Sequence, residues 1–260
     1  MLSLQPVLKP VVISAPFGNY IQPVGTTPTL GTFTAEARPG RIPQILKTLR
    51  YYRRIGAWVN KIGLRNPGMG WLVNKVKAGK IDASDKLVSI HGFEADEWWQ
   101  LLDQCVEIGV GGIELNISCP NVGHINWPEA LFGRAVATGL PVVLKVPPVN
   151  YEQAVEDAIK SGIRSLHCCN TLPVPAGGVS GKPLKPVALQ CIRDLKIKPW
   201  AHDVQFIGGG GINEQGDIDD YLDAGVDVVA LGTKTMNPML LFTDRPVKEL
   251  IDYTTKRIKA

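Results

Sequence analysis

From about residue 85 onward the chain alternates short apolar runs with amphipathic stretches, and this rhythm restricts the possible folds more than any other feature. The apolar runs are LVSIH (87–91), GIELNIS (112–118), VVLKVPP (142–148), SLHCCN (165–170), VQFIGGGG (204–211) and VVALG (228–232). Each has the length of a strand, with Gly, Pro or Asn at or just beyond its end. Between them lie EADEWWQLLDQCVEIG (94–109), WPEALFGRAVATG (127–139), YEQAVEDAIKSG (151–162), KPLKPVALQCIRDLK (182–196) and EQGDIDDYLDAG (214–225). In the first of these, Trp98, Leu101, Leu102, Cys105 and Ile108 recur at helical spacing. The tail from Pro238 reads as helical too.

A strand, a helix and a parallel strand make one βαβ unit. Upstream, VVISAP (11–16) and PTLGTFT (28–34) bring the count to eight strands in 260 residues. The expectation is an α/β fold, a (β/α)8 TIM barrel, which commonly takes about 250 residues. A doubly wound open sheet is the alternative, but no GxGxxG follows the first strand. Residues 1–260 read as one barrel domain, with 35–85 as an irregular segment covering the mouth or rim.

Composition excludes several classes. Hydrophobic residues make up 45% and charged residues 20%, as in a soluble globular protein, and no apolar run has membrane-spanning length. The N-terminus has no basic start followed by an apolar core, so no secretory signal is expected. Five cysteines without metal-type spacing argue against a disulfide framework or a metal site. A reducing, cytoplasmic compartment follows. From Lys47 to Lys80 there are nine Lys or Arg and no acid. The ordinary reading is a solvated face; an acidic partner, a membrane surface or an anionic ligand is the sharper one. No nucleic-acid module accompanies the run.

Polar and glycine-rich motifs fall at the carboxyl ends of the predicted strands, where a barrel builds its active site. These are Asn116 to Asn121, Lys145, Asn170–Thr171, Gly208 to Gly211 and Gly232–Thr233. The glycine motifs after strands seven and eight suit a phosphate approached by backbone N–H groups, although tight turns also need glycine. Lys145 lies inside an apolar run of a strand with no solvent face, so its ammonium needs an anion. A bound cofactor carrying or developing negative charge would supply one. Cys119 differs from the four filler-like cysteines because it lies beyond its strand, between Ser118 and Pro120. A thiol there could serve as a base if the site lowers its pKa.

Taken together, ELNISCPN, GTFTAEARPG (31–40), NKIGLRNPG (60–68), LKVPP (144–148), NT (170–171), GGVSGKPLKPVAL (177–189), IGGGGI (207–212) and ALGT (230–233) resemble the dihydroorotate dehydrogenase family, in the family's order. The resemblance implies an FMN-containing barrel that oxidises dihydroorotate to orotate in pyrimidine biosynthesis. It makes Cys119 the base that takes the C5 proton while a hydride passes from C6 to flavin N5. A Cys at this place is similar to the soluble class. Asn60, Asn116, Asn121 and Asn170 would hold the pyrimidine through amide groups, with Thr171, Gly63 and Leu64 beside them. Ala15, Gly31, Thr32, Asn116 and Lys145 would contact the flavin, and Gly178, Gly210, Gly211, Gly232 and Thr233 would cradle its phosphate and ribityl chain.

The sequence departs from the family pattern in several places. Asn19 and Gly31 stand where a second flavin-contacting Lys is expected. The stretch from Cys119 to Lys145, which includes the closing loop NVGHINWPE, is short. GRIPQ (40–44) replaces a Pro-rich continuation. His91 and His124 lie near strand ends without an evident role. An FMN oxidoreductase of another dihydropyrimidine is the second reading. A flavin-binding or assembly protein without catalysis is the third. The motifs leave open fumarate, a partner subunit using NAD, or a quinone as electron acceptor, and a homodimer is common in the family.

Overall fold

The computed structural model describes residues 2–118 and 127–259. Eight parallel strands close into a barrel. They are β1 (Val11–Ile13), β2 (Thr26–Phe33), β5 (Leu87–Ile90), β6 (Gly112–Asn116), β7 (Val142–Val146), β8 (Ser165–Cys168), β11 (Gln205–Gly209) and β12 (Val228–Leu231). Around the barrel they run β1-β12-β11-β8-β7-β6-β5-β2, so each strand pairs with the next barrel strand in the chain and β12 closes onto β1. Helices α2 (Met69–Lys77), α3 (Ala95–Ile108), α4 (Leu131–Ala137), α5 (Glu152–Lys160), α6 (Leu184–Lys196), α7 (Gln215–Asp223) and α8 (Arg245–Lys259) follow the strands from β2 onward. The expected barrel is therefore present. No helix among the described residues is long and apolar enough to cross a membrane.

Alternation along each strand sorts the core. Outward residues such as Val142, Leu144 and Val146 of β7, or Ile113 and Leu115 of β6, join one large cluster with the helices. Helix α3 contributes Trp98, Leu101, Leu102 and Cys105 from one face and stops at Gly109 in the left-handed conformation, whose N–H bonds the Cys105 carbonyl. Inward residues behave differently. At the amino-terminal ends of the strands, Val12, Leu87, Val143, Ile207 and Val228, joined by Ala230, form a second apolar cluster inside the barrel. Two residues further along the same strands, Ser89 follows Leu87 and Lys145 follows Val143. The barrel interior thus turns polar toward the carboxyl ends.

Two expectations need correction. The first strand is not followed by an α-helix: only a 3-10 turn, Phe17–Asn19, precedes β2. Pro16, Gly18 and Pro23 leave too little helix-forming chain, and Gly18 lies so close to Thr29 that a Cβ would meet its carbonyl oxygen at 2.4 Å. Residues 35–85 are also more regular than expected. They hold α1 (Arg41–Thr48), β3 (Arg50–Tyr52), β4 (Ala57–Asn60) and α2. β3 and β4 join β9 (Leu172–Val174) and β10 (Gly177–Gly181) in an antiparallel sheet ordered β3-β4-β10-β9. The central pairing, β4 with β10, spans more than a hundred residues of sequence, so no local pattern announces the sheet. Helix α1 buries none of its residues.

Candidate active site

The carboxyl ends of the barrel strands and the small sheet enclose a cavity of about 390 Å³. This is within the size range of small-molecule sites. Its lining includes Asn60 at the end of β4, Gly63 and Leu64 beyond it, Asn116 of β6, Lys145 of β7 and Asn170–Thr171 after β8. Ala15, Gly31, Thr32, Gly210, Gly211, Gly232 and Thr233 line it as well. Gly178 is not among the lining residues; it pairs with Asn60 across β4 and β10, while Ser180 and Gly181 of the same strand reach the cavity. Cys119, Asn121 and His124 lie outside the described residues.

The register explains the convergence. Asn116 pairs with Lys145, and Lys145 with His167, so three adjacent strands bring three polar residues to one level. Asn116 is buried and held from both ends of its amide. Its Nδ2 donates to Thr32 Oγ1 at 2.9 Å. Its Oδ1 accepts from the Ser118 hydroxyl at 2.9 Å and from Asn170 Nδ2 at 3.3 Å. Asn170 Nδ2 also donates to Ser118 Oγ at 3.0 Å. His91 donates from Nδ1 to the Asn116 carbonyl, 2.7 Å away. Burial pulls the His91 pKa below its ordinary value, which keeps the ring neutral in that role.

Lys145 and His167 of this level also reach Glu114, two residues before Asn116 on β6, and the three form a cluster of ionisable groups. Glu114 is 0% exposed, His167 1% and Lys145 4%. His167 Nδ1 lies 2.7 Å from Glu114 Oε2, and Lys145 Nζ lies 3.5 Å from Oε1. Burial by itself would raise the Glu114 pKa, but the Lys145 charge, His167 and the nearby Ser89 hydroxyl outweigh it and hold the carboxyl at about 2. Burial, reinforced by Lys145, lowers the His167 pKa. The carboxyl is therefore ionised and the imidazole neutral.

Lys145 does have the anion its position demands, but the protein supplies it. Neither Glu114 nor His167 figures in the sequence reading. Both carry the same signal as Lys145, since each is an ionisable residue inside an apolar barrel strand (GIELN and SLHC). Asn19 also escaped notice as a working residue. It clasps Gly31 from both sides, donating to its carbonyl at 2.9 Å and accepting from its N–H at 3.1 Å. This fixes the backbone of β2 where it lines the cavity.

Two loops are shaped by backbone chemistry. Gly63 and Leu64 are both left-handed, with φ of 69° and 56°, and Asn66 braces them by donating to the Leu64 carbonyl at 2.7 Å. Gly210 and Gly211 have φ of 127° and 73°, values that side-chain-bearing residues rarely adopt. Their carbonyls accept from Tyr221 Oη and Asn213 Nδ2. Among the described residues, the N–H groups of Gly211, Gly232 and Thr233 carry no hydrogen bond. Unspent N–H donors on adjacent cavity loops suit a phosphate. An ammonium with three donors and a single long protein contact among the described residues suits an electron-rich ring edge. The donor set thus fits a flavin mononucleotide.

Cys168, Cys169 and Cys191 come together with their sulfurs within 4.8 Å of one another, a grouping that no sequence spacing reveals. Hydrogen bonds among the thiols at Cys168 and Cys191, and burial at Cys169, push all three pKa values up. They remain protonated and pack within the main core.

Comparison with known proteins gives a consistent result. A family profile described as dihydroorotate dehydrogenase matches residues 23–252. Three relatives are named "Dihydroorotate dehydrogenase B (NAD(+)), catalytic subunit". The one from Petrotoga mobilis is 30% identical over 220 residues, covering 74% of this chain and 72% of its own. That from Listeria monocytogenes is 32% identical over 247 residues, covering 82% and 76%. That from Pelobacter propionicus is 32% identical over 250 residues, covering 84% and 78%.

Proposed function

This chain belongs to the dihydroorotate dehydrogenase family, and on that premise we propose that it oxidises dihydroorotate to orotate with FMN as its resident cofactor. The observation that supports this best is the amide and hydroxyl set Asn60, Asn116, Asn170 and Thr171 lining one cavity together with a buried Lys145. A pyrimidine ring presents paired donors and acceptors that amide side chains can match. FMN, when bound, supplies the two-electron acceptor for the hydride leaving substrate C6.

The chain's own residues do the rest. The N–H groups of Gly211, Gly232 and Thr233 hold a phosphate, and the left-handed glycines let the backbone approach it. Lys145 places positive charge against the ring edge where negative charge grows on reduction. Ala15, Gly31, Thr32 and Asn116 shape the slot beside the ring. Asn60, Asn116, Asn121 and Asn170, helped by Thr171, Gly63 and Leu64, orient the substrate. Cys119 accepts the C5 proton. Electrons leave to a separate electron-transfer subunit, a partner that the relatives' description as catalytic subunits supports.

Anaerobic titration of the purified protein with dihydroorotate tests this reading. Stoichiometric bleaching of a visible flavin band is expected. A flavin band that survives excess dihydroorotate but bleaches with another dihydropyrimidine would replace the substrate. Absence of flavin binding would overturn the assignment. Cys119→Ala should retain flavin while slowing its reduction by several orders of magnitude.

A further inference from the structure

The buried carboxylate of Glu114 has no part in the scheme above, yet several groups that face the ligand depend on it. A carboxylate only accepts hydrogen bonds. With His167 Nδ1 at 2.7 Å, it requires the proton on that nitrogen and leaves Nε2 of the neutral ring as an acceptor. Lys145 is held by the other oxygen. Ser89 pairs with Glu114 across β5 and β6, and its hydroxyl lies near enough to help keep the carboxyl ionised.

The same direction extends further. Ser89 Oγ is 2.9 Å from Thr32 Oγ1, and Thr32 Oγ1 accepts from Asn116 Nδ2 at 2.9 Å. If the Ser89 proton points to the carboxylate, the Thr32 proton points to Ser89, and Asn116 must present its NH₂ group to Thr32. Its carbonyl oxygen then faces Ser118 and Asn170, where it accepts from both. A side chain that could donate in place of Glu114 would let this chain run either way.

We infer that Glu114 is a positioning residue whose anionic acceptor fixes the His167 tautomer, anchors Lys145 and sets the orientation of the Asn116 amide at the cavity floor. The role toward flavin rests on the function proposed above; the tautomer does not. Glu114 touches neither substrate nor cofactor and acts through these three groups. Replacing it with Gln keeps the shape and removes both the charge and the acceptor-only character.

Nitrogen-15 NMR of the histidine rings, recorded on flavin-free protein at neutral pH, is the direct test. Wild type should show His167, assigned by its loss in His167→Gln, as the Nδ1–H tautomer. Glu114→Gln should shift it toward Nε2–H, and Glu114→Asp should restore it. Loaded with FMN, Glu114→Gln should shift the flavin midpoint potential upward, because Lys145 then lacks its internal counter-charge. Ser89→Ala, a small change should the Glu114 variants fail to fold, should raise the KM for dihydroorotate several-fold with little change in kcat. A wild-type His167 protonated on Nε2, or a tautomer and potential unmoved by Glu114→Gln, would overturn the inference. An unchanged KM in Ser89→Ala would overturn its extension to Asn116. Loss of dihydroorotate oxidation with the tautomer result intact would count against the function alone.

Discussion

The lower and upper halves of the barrel interior are built from the same strands, yet they are held by opposite physics. Below, Val12, Leu87, Val143, Ile207 and Val228 fill the space with apolar side chains. Each such burial stabilises the fold by roughly 1.5–3 kcal/mol, and a loss is graded by the volume removed. Above, Glu114, Lys145 and His167 sit in equal burial. A buried ion pair contributes little net stability over an apolar substitute, but removing one partner strands the other. The lower half tolerates change in proportion to size. The upper half tolerates it only when charges leave together. That cost is understandable where a site must offer a fixed cation to a ligand.

The contrast is testable. The largest effect should come from Glu114→Ala, which leaves a buried ammonium with no counter-charge; a loss of about 3–5 kcal/mol in urea unfolding is expected. Adding Lys145→Met to that variant should recover part of the loss, because the unpaired charge is then gone. If the double variant is less stable than the single one, the two residues do not act as a pair.

Leu87→Ala in the lower half should cost about 2–5 kcal/mol through a cavity. No second substitution of charge should rescue it, and the binding of the proposed FMN should be unaltered. A marked loss of flavin binding would show that the two halves are not independent.

Acid should separate the halves next. The folded pKa of Glu114 lies at about 2, below its ordinary 4.5. Its ionised form therefore contributes stability in full above about pH 4.5, and this is lost as pH falls toward 2. His167 has its pKa lowered from 6.5, so its neutral form contributes above pH 6.5 and the contribution falls away as pH drops below that value. Urea midpoints measured from pH 7 downward should decline in both windows. Glu114→Gln should flatten the lower one.

The smallest effect should be Ile207→Val, about 0.5–1.5 kcal/mol. It should displace the whole pH curve without changing its shape. A changed shape would mean that the apolar plug and the charged floor titrate as one unit.

Much of this molecule is legible from local pattern. Alternating strand and helix periodicities give the eight barrel strands, because both periods are properties of a short stretch of chain. The cavity-lining positions Asn116, Lys145, Asn170, Gly210 and Gly232 follow, since strand carboxyl ends must converge once the barrel closes. The sheet β3-β4-β10-β9 is not legible, because its two local strand pairs are weakly patterned and join only through β4 and β10, across a long sequence separation. Nor is the clasp of Asn19 on Gly31, which a sequence reader sees only as a missing lysine.

The sequence alone determined that a charged residue at 145 inside an apolar strand needs an anion, because burial forbids an unpaired ammonium. Only the tertiary structure decided that the anion is Glu114, with His167 on its other oxygen. Period-two alternation says which residues of one strand share a face. The register between strands, set by closure of the whole barrel, says which of those residues meet.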